Sequence, residues 1–218
     1  MKLTHFKFNL RRGFTLVEML IVITIISMLA AMTMGGYTYA MRASKRRITS
    51  GAFAAINLAL DRYEADFGEF PEPSGTDEIV AILPGKTYDV SGAACLYQAL
   101  TGDGFDKIQG VSGSSDASAQ SDGKTEGIEE IKNMKLAELP QTMFTKKGSN
   151  YVLIDGFGRP FQYIKAAAPV AAGTPPEATT INSTYDLWSY SEDEVNTTKK
   201  SIDTLEDANL SIKWIKNW

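Results

Sequence analysis

One cysteine and one histidine are all that this 218-residue chain holds of either. Cys95 on its own cannot close an intramolecular disulfide. His5 lies in the basic N-terminal stretch ahead of the first apolar run. The rest of the chain therefore lacks an imidazole for a Ser-His-Asp or Cys-His relay, or for a His-ligated zinc. Catalysis would have to rest on carboxylates, serine or lysine, and no cluster of these stands out, so the expectation is a protein that is not an enzyme. Cys95, within Ala93-Ala94-Cys95-Leu96-Tyr97, reads as a buried small hydrophobe. Basic charge is also scarce. Lys and Arg number 22 against 26 Asp and Glu, and Lys2, Lys7, Arg11 and Arg12 all fall before residue 13, so the remainder of the chain is more acidic still. That balance argues against tracking a phosphate backbone, and no nucleic-acid partner is expected. Arg42, Lys45, Arg46 and Arg47 make a local basic patch that reads as a membrane-surface flank or a salt-bridging face within an assembly.

Charge is missing altogether from Met19 to Met41. As a helix this stretch is about 35 Å long at about 1.5 Å per residue, enough to cross a hydrocarbon core of about 30 Å. Glu18 sits just ahead of it, and a carboxylate at the edge of such a segment is costly in lipid unless it has a partner. A conventional signal peptide would need an A-x-A pattern after the apolar core, which SMLAAMTMGG (27–36) lacks. A plain anchor would not require Glu18, and a soluble core helix seldom runs so long without charge. Positive charge does not set the orientation, because Lys2, Lys7, Arg11 and Arg12 are matched by Arg42, Lys45, Arg46 and Arg47.

Beyond Met41 the pattern turns amphipathic. Ile48, Ala52, Ala55, Ile56, Ala59, Leu60, Tyr63 and Phe67 recur at steps of mostly three and four residues. Gly68 offers a stop, and Pro71 and Pro73 prevent continuation. The spacing predicts one helix from Phe14 to about Phe67, apolar over 14–41 and amphipathic over 42–68. In the region 69–149, SGAACLYQAL (91–100) predicts a short helix with Ser91 as N-cap and Gly102 at its end. GVSGSSDASAQSDGKTEG (110–127) reads as a mobile loop, and 128–139 as a second short helix closed by Pro140. From 150 to 218 strands are expected at Tyr151–Ile154, Pro160–Lys165 and Thr184–Ser189. Asp155-Gly156-Phe157-Gly158 would turn a hairpin between the first two, and 166–178 is an exposed Pro/Ala loop. Asn182 and Asn196, each in an Asn-x-Ser/Thr triplet, read as ordinary loop polarity.

The run RRGFTLVEMLIVITIISMLAAMTMGGYTYAM (11–41) resembles the class III signal of type IV pilin-like proteins. The resemblance implies a leader of residues 1–13, cleavage by prepilin peptidase between Gly13 and Phe14, and N-methylation of Phe14. It also implies an assembly role for Glu18, paired with the free amine of a neighbouring subunit. Such a pairing would relieve two charges that are each costly alone in lipid. Members usually carry proline where this chain has Gly35, and Gly35-Gly36 offers either a meltable point or close helix packing.

Three C-terminal pieces narrow the resemblance to the major pseudopilin of type II secretion, the G subunit. DGFGRPFQY (155–163) is similar to its turn D-P-W-G-x-P-Y-Q-Y, YDLWSYSED (185–193) to its F-D-L-W-S-x-G-x-D, and IKNW (215–218) to its terminal I-x-N-W. The resemblance implies an α+β pilin-like fold, in which one long N-terminal helix, membrane-spanning in its first half, packs on a C-terminal antiparallel head with an inserted loop and helix region. The chain would sit in the inner membrane, cytoplasmic at its N terminus, and assemble into a periplasmic pseudopilus driving export of folded proteins across the outer membrane. Its partners would be further copies of itself, minor pseudopilins, prepilin peptidase and the inner-membrane assembly platform. The loop after L-W-S binds calcium in that family, which would place Leu187 and Ser191 as carbonyl ligands, Asp193 as a carboxylate, and Asp207 and Asn209 as substitutes for a missing acidic run. The competing reading is a loop held by Trp188, Trp214 and Trp218 without metal. The alternative function is a type IV pilus subunit for adhesion, motility or DNA uptake. The C-terminal disulfide common in major pilins is impossible here with one cysteine.

Overall fold

The computed structural model describes residues 13–75, 79–111, 119–123, 140–167 and 178–218. The expected second helix at 128–139, parts of the expected loop at 110–127 and most of the Pro/Ala loop lie outside these residues. The chain divides into two compact units, Met1–Arg42 and Ala43–Trp218.

Helix α1 runs from Leu16 to Phe67, close to the predicted limits. Its end coincides with Gly68, whose N–H returns to Glu64 O at 2.7 Å. In the first unit every described residue is exposed, including Leu20, Ile23, Ile26 and Leu29. The helix is long and apolar enough to cross a membrane. Its threonine and serine hydroxyls in this half bond back to their own helix. Thr24 donates to Leu20 O at 2.7 Å, Ser27 to Ile23 O at 2.7 Å, Thr33 to Leu29 O at 3.1 Å and Thr38 to Gly35 O at 3.0 Å. Such back-bonding lets these four hydroxyls do without water, as an apolar surrounding requires. Gly35 and Gly36 remain helical.

In the second unit α1 buries Thr49, Ala52, Ile56, Ala59, Leu60 and Tyr63. This stripe corrects the expected one: Ile48 and Phe67 are exposed, as is Ala55, and Thr49 takes the buried place beside Ile48. The reason is polar. Thr49 Oγ1 accepts from Gly156 N–H at 3.0 Å and donates to Lys45 O at 2.9 Å, so the hydroxyl and not the neighbouring isoleucine meets the head.

Opposite this stripe, α2 (Ser91–Thr101) is buried along nearly its whole length, from Gly92 to Leu100. Leu96 and Leu100 join Ile56, Leu60, Leu153, Phe161 and Leu187 in the main core. A helix apolar on every side belongs inside, so this piece of the 69–149 region is central to the head. It ends as expected at Gly102, at φ 70° with its N–H on Gln98 O. The expected N-cap is corrected: Ser91 is already helical, and Asp89 Oδ1 accepts both its N–H at 2.9 Å and its hydroxyl at 2.6 Å.

The strands form three small antiparallel sheets among the described residues. They are β1 (Ile79–Leu83) with β2 (Lys86–Asp89), β3 (Phe144–Lys147) with β4 (Asn150–Leu153), and the trio β5 (Gln162–Lys165), β6 (Tyr185–Ser189) and β7 (Ile215–Lys216). The hairpin expected across Asp155–Gly158 is corrected, since β4 pairs with β3 and β5 with β6. The turn joins two sheets through a single bridge, Ile154 with Pro160. Residues 119–123 of the loop expected to be mobile are fastened through Ser121: it is buried, its N–H donates to Asn150 Oδ1 at 3.1 Å, and Tyr151 N–H donates to its hydroxyl at 2.7 Å.

Candidate functional site

At the N-terminal end, Gly13, Phe14 and Thr15 precede the helix in non-helical backbone, and Gly13 and Phe14 are exposed. The bond between Gly13 and Phe14 thus lies outside the hydrogen-bonded helix. Thr15 and Glu18 close the helix start reciprocally. Glu18 N–H donates to Thr15 Oγ1 at 3.3 Å, while the N–H and hydroxyl of Thr15 each donate to Glu18 Oε2 at 2.8 Å. This T-x-x-E capping box satisfies helix-start donors and places a negative charge at the positive end of the helix. Among the described residues Glu18 Oε1 takes no hydrogen bond, so half of the carboxylate remains for a further donor. Sequence reasoning missed Thr15, although the spacing of Thr15 and Glu18 was the signal for it.

The three C-terminal motifs meet in the second unit and fasten one another. The Asp155–Gly158 turn lies on α1 at Lys45 and Thr49. A Cβ at Gly156 would come 2.5 Å from Lys45 O and 3.1 Å from Thr49 Oγ1, so only glycine permits this approach. Asp155 Oδ1 accepts from Phe157 N–H at 2.8 Å and Arg159 N–H at 2.9 Å. Its Oδ2 accepts from Ser189 Oγ at 2.6 Å, and Ser189 Oγ accepts from Ser191 N–H at 2.9 Å. Burial raises the Asp155 pKa, and those bonds and the Arg159 charge offset the rise only in part.

The terminal motif continues the sheet with a side chain. Asn217 Oδ1 accepts from Leu187 N–H at 3.0 Å and its Nδ2 donates to Tyr185 O at 3.2 Å, so the amide adds a rung after the two-residue β7. Trp188 stacks with Trp214 at 6.1 Å between centroids and meets Trp218 edge-on at 5.7 Å. Trp218 Nε1 donates to Thr204 Oγ1 at 3.2 Å.

The five residues proposed for calcium are not brought together as ligands. Leu187 lies within β6, opposite Tyr163. Ser191 O accepts from the Arg159 guanidinium, so a fixed cation holds the carbonyl a metal would need. Asp193 Oδ1 accepts from Val195 N–H at 2.9 Å and Asn196 N–H at 3.2 Å, and its Oδ2 from Asn196 Nδ2 at 2.9 Å and Trp214 Nε1 at 3.1 Å. Four N–H groups occupy that carboxylate. Asp207 Oδ1 accepts from Asn209 N–H and Nδ2, each at 2.9 Å, and this pair is on an exposed turn. Among the described residues no group of three or more His, Cys, Asp or Glu is placed to hold a metal. The donor set therefore does not fit calcium in this arrangement. Besides Thr15, sequence reasoning missed the roles of Arg159, Asn217 and Thr49. The one signal for Arg159 was a lone cation inside the otherwise apolar G-R-P-F.

Cys95 is fully buried, and burial pushes its thiol pKa up, as for an inert core residue. The Asn182 and Asn196 amides donate inward, to Tyr185 O at 3.2 Å and Asp193 Oδ2 at 2.9 Å.

Residues 8–34 match the family described as the prokaryotic N-terminal methylation motif. The chain therefore carries a prepilin-type signal of the type IV pilin-like kind, followed by the α+β architecture that suits such a protein. No match was found among curated proteins or among solved structures.

Proposed function

We propose that this protein is a structural subunit of a type II secretion pseudopilus. Prepilin peptidase removes residues 1–13 after Gly13 and methylates Phe14. The apolar half of α1 holds the subunit in the inner membrane, with a cytoplasmic N terminus and a periplasmic head. Subunits then polymerise through this helix, together with minor pseudopilins and on an inner-membrane platform, and drive folded proteins across the outer membrane. The observation that carries the reading is the helix whose first half exposes an uninterrupted apolar surface behind a capped Glu18. That surface demands lipid or neighbouring copies around it, and the Oε1 of Glu18, which takes no hydrogen bond among the described residues, suits the incoming Phe14 amine of another subunit. The interlock of the D-G-F-G-R turn, the L-W-S strand and the terminal I-K-N-W supports a pseudopilin head over a pilus head, because Asn217 and the tryptophans close the C-terminal segment without a disulfide. A pilus subunit for adhesion, motility or DNA uptake is the other reading of the same helix. Mass spectrometry of the membrane form should give methylated Phe14 as the first residue, and any other mature terminus rejects the processing scheme. Deleting the gene should stop enzyme secretion and leave surface filaments intact; the reverse result selects the pilus.

A further inference from the structure

The acidic run Ser191-Glu192-Asp193-Glu194 is gripped by three basic side chains from three separate elements. Arg159, between the Asp155–Gly158 turn and β5, is 4% exposed. Its guanidinium donates to Ser191 O and lies 3.5 Å from Glu194 Oε1. Lys86, at the start of β2, donates from Nζ to Glu194 O at 2.6 Å. Arg46, on α1, reaches Glu192 Oε1 at 3.3 Å and Lys213 O at 3.2 Å. Ser191 has φ 52°, the one positive φ outside glycine among the described residues, and the guanidinium holds the carbonyl at this irregular point.

A divalent cation orders such a loop by gathering carbonyls and carboxylates around one positive centre. In this head the same kinds of oxygen are claimed singly. The carbonyls of Ser191 and Glu194 go to cationic side chains, and the Asp193 carboxylate goes to four N–H groups. A metal entering at Ser191 would meet a buried guanidinium of like charge that has nowhere wetter to go without breaking its contacts, and such a juxtaposition is strongly unfavourable in a poorly solvated site. Arginine suits this place better than lysine, because its planar fork reaches two acceptors at once and stays charged when buried.

We propose that the C-terminal loop is organised by the chain's own cations, with Arg159 in the role that a bound calcium would fill, so that the head folds and keeps this loop closed without divalent metal. This holds for a pseudopilus and a pilus subunit alike. The three tryptophans of the chain, Trp188, Trp214 and Trp218, lie in one cluster or packed against it, so intrinsic fluorescence reports on the loop. The test uses the full chain in detergent, melted in EGTA and in millimolar calcium, alongside Arg159→Met and Arg159→Lys. The wild type should melt within about 1 °C in both buffers, where a saturated metal site would separate them by several degrees. Arg159→Met should melt on the order of 10 °C lower, shift its emission to the red and be cut by protease within 190–214; Arg159→Lys should fall between. A wild type that loses several degrees in EGTA and carries stoichiometric calcium by elemental analysis overturns the proposal. So does an Arg159→Met chain with unchanged emission and protease resistance. If Arg159→Met fails to fold, the wild-type comparison decides by itself.

Discussion

Thr15 and Glu18 complete each other's hydrogen bonds at the start of α1, the threonine N–H and hydroxyl both 2.8 Å from Glu18 Oε2. The carboxylate that would serve assembly is thus already oriented within a single subunit, and forming the filament need only add a donor to Oε1. Ordering that side chain beforehand lowers the entropy lost when subunits join. Glu18→Ala should abolish filament assembly while the head melts within about 2 °C of wild type, because the substitution lies in the other unit. Sedimentation of polymer from membranes, with a melt of the same preparation, checks both halves. Normal polymer from Glu18→Ala would remove the assembly role.

Thr15→Val keeps the size of the side chain and removes its hydroxyl, so Oε2 retains only the backbone donor. Assembly should weaken less than in Glu18→Ala, and N-methylation of Phe14 should persist. Quantitative mass spectrometry of the mature terminus and the pelleted fraction separate the two effects. Equal loss in both variants would mean that orientation of Glu18 matters as much as its charge.

Much of this layout was legible in the sequence, and the exceptions share a cause. The length of α1 follows from a charge-free run, a 3.6-residue pattern and Gly68, all of which are local. The limits of α2 follow likewise from an apolar segment ending at Gly102. The strands β1, β2, β3 and β7 were missed, since Phe144-Thr145-Lys146-Lys147 alternates poorly, Lys86–Asp89 is four residues long and Ile215-Lys216 only two; each is a strand only because a partner lies beside it. The C-terminal loop shows the same limit. The resemblance placed the loop after Leu187-Trp188-Ser189, but its cation arrives from Arg159, and only folding places that side chain against Ser191. Asn217 is read by position as part of a terminal motif, and its role as an added rung appears only with β6 next to it.

Asn217→Leu removes that rung and leaves Leu187 N–H and Tyr185 O without this partner. The expected loss is about 1–3 kcal/mol, a fall of about 2–10 °C for a unit of this size. Asn217→Asp keeps the acceptor and loses the donor, and should fall between. Thermal melts of the two variants rank them, and equal stability of all three proteins would show that the rung contributes nothing.

Gly156→Ala tests the seat of the turn on α1. The new methyl would press on Lys45 O at 2.5 Å, and backbone is the obstacle, so relief requires moving the turn. A cost of about 1–3 kcal/mol is expected, with a lower melting midpoint. Pairing it with Thr49→Ala, which removes the acceptor of Gly156 N–H, should give less than the sum of the two losses, because both changes break the same contact. Additive losses would place the strain elsewhere.

Asp193 gives a test with a definite sign in pH. Burial acts to raise its pKa, but the N–H groups of Val195, Asn196 and Trp214 outweigh that and leave it lowered. A carboxylate with a depressed folded pKa contributes stability that is fully present above its unfolded value of about 3.9 and is lost as pH falls through the folded value. In Asp193→Asn the new amide nitrogen must face either the Val195 and Asn196 N–H groups or Asn196 Nδ2 and Trp214 Nε1, donor against donor in both orientations, at a cost of about 1–3 kcal/mol. The difference between wild type and Asp193→Asn should therefore stay constant from pH 8 to about pH 5 and narrow only below about pH 4. Asp155 runs the other way: its folded pKa is raised, so ionisation of Asp155 opposes folding at neutral pH, and acidification relieves this as pH falls through the folded value towards the unfolded one. Since both proteins retain Asp155, its contribution cancels in the difference, and denaturant titrations at pH 8, 5 and 3.5 read Asp193 alone. A gap that widens on acidification would show that the carboxylate of Asp193 is not held in its ionised form by these donors.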